Sequence, residues 1–142
     1  MRDGNVEILW ASDELRTHLI AVGDLVHLSC GNYLFRRGDP VTGVFLITNG
    51  AVRLGLEGDL PAFPWRNLGP GSLLGLPATL SEATYSLTAE VTDDADLIFL
   101  PRQRLLDLLR QQHHLCFQIM NILSEELNQT RAALARVRKH GE

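Results

Sequence analysis

Between Gly31 and Val52 the chain reads GNYLFRRGDPVTGVFLITNGAV, and no other stretch restricts the fold as much. Short apolar runs alternate with turn signals. Leu34 and Phe35 belong to one expected strand. Gly38-Asp39-Pro40 then makes a turn, with Pro40 fixing φ near about −65°. The run Val44-Phe45-Leu46-Ile47 reads as a second strand and is bounded by Asn49-Gly50, the strongest short hairpin signal in a sequence. Val52 and Leu54 resume the alternation, so strands are expected at 43–48 and 50–56 with a hairpin between them. A helical chain cannot carry this punctuation.

The rest of the chain extends the pattern on both sides. Ser12 is a good N-cap for a helix over 12–22 with Leu15, Leu19 and Ile20 on one face. Strands are expected at 24–29, 31–36, 64–68, 84–92 and 95–100, with a turn at Gly69-Pro70-Gly71 and a crossing at 72–76. Short strands at this spacing imply a sandwich or barrel over 24–100. The breakers from Gly58 to Pro64 mark a loop, the most mobile part of such a barrel. Trp65 beside it is either core or an exposed anchor for a partner.

From Pro101 the period changes. Leu105, Leu106, Leu108 and Leu109 form a first helix with Pro101 near its first turn. A second helix is expected to start near Gln112 and run to about Lys139. Its apolar positions Cys116, Met120, Leu123, Leu127, Thr130, Leu134 and Val137 recur in heptad spacing. A second stripe, Leu115, Ile119 and Ile122, covers only the first half. The two stripes predict a helix whose first turns pack on its own barrel and whose whole length packs on a partner helix. The expected partner is a second copy, making a homodimer through residues 116–137.

Bulk properties narrow the function. The 142 residues suffice for one domain, expected to span 1–142, and the composition is 45% hydrophobic and 21% charged. The net charge of −4 argues against direct DNA binding. The cations Arg131, Arg136, Arg138, Lys139 and His140 near the C-terminal end suit a helix terminus. No apolar run is long enough to span a bilayer and no secretory h-region opens the chain, so a cytoplasmic location without membrane contact is expected.

The order of helix, short strands, short helix and long helix, with GNYLFRRGD at 31–39, VFLITNGAV at 44–52, LGPGSLLG at 68–75 and the run at 86–109, resembles the sensor half of the Crp/Fnr family, a cyclic-nucleotide-binding domain. The resemblance implies a mainly β fold with flanking helices: a double-stranded β-helix (jelly-roll) barrel at 24–100 plus C-terminal dimerisation helices at 101–140. It also implies a role in transcription regulation. In the family the nucleotide sits on a phosphate-binding cassette, where a short helix follows Phe-Gly-Glu and an arginine precedes a small residue. Gly75 matches the glycine, but Leu76 stands for the glutamate and Tyr85, followed by Ser86, for the arginine. No cation lies between Arg66 and Arg102. A buried phosphate without a counter-charge costs several kcal/mol, so the usual mode of cAMP binding is not expected.

The pocket that this resemblance leaves is expected to involve Leu73, Gly75, Leu76, Pro77, Ala78, Tyr85, Ser86 and Leu87, with Leu80 on its wall. Thr130 falls where family members that bind cAMP place a purine-contacting threonine; it is also a heptad position. The effector is either an unknown small molecule or nothing, and the alternative function is a ligand-free module for dimerisation or partner docking. Family regulators continue into a helix-turn-helix domain, which does not follow position 138 here; the chain is therefore expected to be either a piece of a longer regulator or a stand-alone sensor.

Enzymatic readings find no support in the sequence. A jelly-roll metalloenzyme needs clustered His and Glu ligands. Of His18, His27, His113, His114 and His140 only His27 lies on an expected strand, and His113 and His114 point about 100° apart on a helix. Cys30 and Cys116 are two short of an iron–sulfur ligand set, and His18, His27 and His113 are haem-ligand candidates by residue type alone. No Gly-x-Ser-x-Gly element occurs. No catalytic residue, metal or cofactor is expected.

Overall fold

The computed structural model describes residues 12–56 and 65–124. Helix α1, Asp13–Val22, starts at Ser12, whose hydroxyl accepts from the Leu15 amide at 3.2 Å. Six strands follow: β1 Asp24–Leu28, β2 Tyr33–Phe35, β3 Gly43–Gly55, β4 Arg66–Leu68, β5 Leu73–Leu74 and β6 Thr88–Pro101. The short helix α2, Leu76–Ser81, lies between β5 and β6, and α3, Arg102–Gln111, follows β6. A further helix, α4, is described over 113–124.

The expected hairpin does not form, and four expected strands merge into two. Asn49-Gly50 lies inside one continuous strand, β3, and the expected strands 84–92 and 95–100 give way to one continuous strand, β6. The register between β3 and β6 shifts between Ile47 and Val52, opposite Asp93 to Asp96. Gly50 takes φ +86° at this level, and a Cβ there would stand 2.2 Å from the Asp94 carbonyl oxygen. The Asn-Gly pair therefore supplies the left-handed residue of a bulge, which bends a strand instead of reversing it.

The sheet corrects the expected barrel. β3 and β6 pair antiparallel along their lengths; β1 and β2 add to the outer side of β6, and β4 and β5 to the outer side of β3. The strand order β1-β6-β3-β4 leaves β1 and β4 as opposite edges, and no ladder joins them among the described residues. The sheet is open, and the double-stranded β-helix reading fails on this topology. Four short strands read as separate elements became two long, bent ones, which curve the sheet without closing it.

Strand alternation divides the interior into two layers. Phe45, Ile47, Val52 and Leu54 of β3 face an inner cluster with Phe35, Leu68, Leu74, Tyr85, Ala89, Val91, Ala95 and Leu97. Val44 and Leu46 point the other way, with Ile98 and Leu100 of β6, into a cluster that the helices cover. Leu15 and Leu19 of α1, Leu105 and Leu108 of α3, and Leu115, Ile119 and Ile122 of α4 complete that second layer. Burial of each such leucine is worth about 1.5–3 kcal/mol. An exposed pair such as Arg16–Asp13 at 2.6 Å is worth about 0–1 kcal/mol, so the apolar stripe holds α1 in place. Ile20, expected beside Leu15 and Leu19, is 52% exposed and not part of it.

Candidate functional site

The cassette region is built around Tyr85. The turn from Arg36 to Asp39 is closed by the Asp39 amide donating to the Arg36 carbonyl at 3.0 Å, while the Asp39 carboxylate accepts from the Arg36 amide at 3.0 Å. This loop then grips the segment after α2. The Gly38 amide donates to the Tyr85 carbonyl at 2.8 Å, the Tyr85 amide donates to the Asp39 carbonyl at 3.0 Å, and Pro40 bridges Thr84. The Gly-Asp-Pro turn thus fixes the backbone at Thr84 and Tyr85.

The Tyr85 side chain is 3% exposed and fully engaged. Its ring stacks on Phe35 at 4.0 Å between centroids and 9° between planes. Its hydroxyl donates to the Gly43 carbonyl at 2.8 Å and accepts from the Thr42 and Gly43 amides at 3.1 and 3.2 Å; the Thr42 hydroxyl lies 3.2 Å away. Gly75 caps α2 with φ +84°, and a Cβ there would stand 3.0 Å from the Tyr85 ring. Glycine at 75 is therefore required twice, by its dihedral and by the closeness of the phenol.

The residues expected to form one pocket are divided between layers. Ala78, Tyr85 and Leu87 pack on the inner cluster, whereas Leu73, Leu76 and Leu80 pack on the helix side. Pro77 and Ser86 are exposed. Leu76, at the position of the family's glutamate, is 1% exposed with its side chain among the leucines of the helix layer. Thr130 lies outside the described residues, as do heptad positions Leu127, Leu134 and Val137, the basic C-terminal residues and the Gly58–Pro64 loop.

Arg102, at the far end of α2, is engaged within the fold. The Arg102 guanidinium donates to the Thr79 carbonyl at 2.8 Å and lies 3.5 Å from the Glu82 carboxylate; its amide donates to the Thr42 carbonyl at 3.1 Å. It closes the C-terminal end of α2, where Glu82 takes φ +58°. Arg53 is held by Glu90 at 2.6–2.7 Å and lies over the Trp65 ring at 4.2 Å, which leaves Trp65 half-buried against β3.

On α4 the two apolar stripes separate. Leu115, Ile119 and Ile122 are buried in the helix layer, whereas Met120 is 59% exposed and Cys116 and Leu123 are half-buried. Phe117, a position the heptad reading passes over, is 70% exposed beside them.

The histidines fall into two settings. His27 pairs with Asp96 across the β1–β6 ladder at 2.8 Å, and this hydrogen bond holds the Asp96 carboxyl below the usual carboxylate range. His18 and His114, treated above as unrelated, meet with Glu14 between α1 and the first turn of α4. The signal in the sequence was the i, i+4 spacing of Glu14 and His18; nothing in the sequence brought His114 to it.

The fold is an open sheet with helices packed on one face and an inner apolar cluster on the other. Residues 25–112 match the cyclic nucleotide-binding domain family, more than half of the chain. The transcriptional activator protein anr of Pseudomonas aeruginosa (strain PAO1) is 30% identical over 105 residues, which cover 70% of this chain and 41% of that protein. Lysophospholipase nte1 of Aspergillus oryzae is 24% identical over 114 residues, covering 80% of this chain but 7% of that one. The catabolite activator protein of Thermus thermophilus superposes with a TM-score of 0.75 at 24% identity, covering 89% of this chain and 60% of that one. The chain belongs to the cyclic nucleotide-binding domain family. It spans about two fifths of the activator's length and a small part of the lipase's. No helix among the described residues is long and apolar enough to cross a membrane.

Proposed function

We propose that this domain is the sensory part of a cytoplasmic Crp/Fnr-type transcription regulator whose cassette does not hold a cyclic nucleotide in the family's manner. The observation that carries this reading is the Tyr85 hydroxyl, whose hydrogen bonds go to Thr42 and Gly43. A phosphate seated there would need a cation and free N–H donors. The position offers a neutral ring packed on Phe35, and Pro77 removes a donor from the first turn of α2. Arg102 is committed to Thr79 and Glu82.

Signalling on this reading runs through the helix that begins at position 113, in a dimer formed along it. The exposure of Phe117 and Met120 beside the buried Leu115, Ile119 and Ile122 supports that face as the contact with a second copy. The same observation favours a second reading, a ligand-free dimerisation or docking module, in which the filled inner layer serves only to hold the fold.

Thermal unfolding with cAMP, cGMP and cyclic dinucleotides tests the cassette. A ligand at 100 times its Kd adds about 2.7 kcal/mol, a rise of several degrees for a domain of this size. No shift is expected with millimolar cAMP or cGMP. A clear shift from either overturns the proposal.

A further inference from the structure

We propose that Glu14, His18 and His114 form a binding site for a first-row divalent cation such as Zn²⁺. One ligand atom from each lies within 4.8 Å of the other two. Glu14 and His18 are four residues apart on α1 and share one face of it. His114 arrives from the first turn of α4, with its ring 6.1 Å from that of His18 at an interplanar angle of 67°.

The scaffold behind the three is rigid. Leu15 and Leu19 of α1 and Leu115 and Ile119 of α4 are each at most 3% exposed and share one cluster. The ligands therefore stand on two helices locked face to face. A supporting group is also in place: the Gln118 amide nitrogen donates to the second oxygen of Glu14 at 3.0 Å, and the Ser12 hydroxyl contacts Gln118. Outer partners of this kind orient a metal-binding carboxylate.

The donor set selects the cation. Two imidazole nitrogens and one carboxylate oxygen suit Zn²⁺ and its neighbours, whereas Mg²⁺ and Ca²⁺ take oxygen ligands. In a tetrahedral site with bonds of about 2.0–2.2 Å, ligand atoms stand about 3.3–3.5 Å apart. Binding therefore requires the side chains to adjust from the observed spacing, within 4.8 Å of one another. Glu14 and His114 are in direct contact, so two of the three ligand groups already face one another. Half of each of these two side chains is solvent-accessible, which gives a cation its entry path and a water its place as fourth ligand.

A cation held there ties α1 to the start of α4. This input is separate from the cassette and does not depend on whether the cassette takes a nucleotide.

The test uses tag-free protein stripped with EDTA and desalted. Calorimetric titration with Zn²⁺ is expected to show one ion per chain, and Co²⁺ to give the visible absorption of a tetrahedral site; Mg²⁺ should give no heat. His18→Ala and His114→Ala should each weaken Zn²⁺ binding at least tenfold, with far-UV circular dichroism confirming that each variant folds. His113→Ala should bind as the parent does. Absence of saturable Zn²⁺ binding by the parent overturns the proposal, as does binding that survives in the folded His18→Ala/His114→Ala variant. Should that variant not fold, a Co²⁺ spectrum of the parent lacking tetrahedral character overturns it equally.

Discussion

On the proposed reading, Tyr85 carries the chemistry that separates this chain from its family's nucleotide binders. An arginine at this position would present a charge to a ligand; the phenol turns the same direction into an internal tie to Thr42 and Gly43. Tyr85→Phe keeps the ring and its stacking on Phe35 but strips the partner from the Gly43 carbonyl and two amides. Loss of buried hydrogen bonds with partners left unsatisfied costs about 1–3 kcal/mol. A fall of that size in unfolding free energy, measured in urea, is expected. An unchanged midpoint would mean that water takes over the phenol's bonds and that the site is wetter than its 3% exposure indicates. The tyrosine at position 85, in the segment after α2, was legible in the sequence. Its role as a tie was not, because Thr42 and Gly43 lie more than 40 positions away and no local pattern links them.

The elements were legible where local chemistry decides them. Ser12 began α1, β1 and β2 formed within their expected bounds, and the shift of period after Pro101 marked the passage from strand to helix. The failures came where one local signal fits two geometries. Asn-Gly supplies a left-handed residue to a hairpin turn and to a bulge alike, and only the partner strand decides between them. Here Asp93 to Asp96 of β6 lie opposite and continue the ladder past the bend. Gly50 is the hinge of that bend. Gly50→Ala places a methyl 2.2 Å from the Asp94 carbonyl oxygen. The cost is about 1–3 kcal/mol of overpacking, plus about 1–2 kcal/mol for a side chain in the left-handed region. The urea midpoint should drop with its slope unchanged; a midpoint within error of the parent would show that the strands slide to accept the methyl, and that the bend is not fixed by glycine.

At the scale of the molecule, two apolar layers share one sheet, and the helix layer is where regulation can enter. The buried stripe of α4 belongs to this layer, and its exposed stripe has no intramolecular cover among the described residues. Light scattering at micromolar concentration should return the mass of two chains, and Phe117→Asp with Met120→Asp should return the mass of one. The parent protein running as a monomer would remove the dimer and leave the exposed stripe for another partner. The division into layers also shows why the expected pocket was misjudged as a unit. Leu73, Leu76 and Leu80 were grouped with Tyr85 by the family resemblance, yet alternation along β5 and the helical period of α2 send them to the opposite face.

The continuous pairing of β3 with β6 has a further consequence, for how the chain finds its fold. Gly55 pairs with Thr88 and Gly43 with Pro101, so even the nearest partners in this ladder lie about thirty residues apart. A hairpin at Asn49-Gly50 would have let the strands zip from a two-residue loop within microseconds. Without it, the central ladder must begin by closing a long loop, and its entropy is lost before the first contact forms. Chains dominated by such distant pairings fold in milliseconds to seconds rather than microseconds. During that interval the apolar residues of both long strands are uncovered, and the helices that shield one face of them, α3 and α4, are the last of the described elements to leave the ribosome.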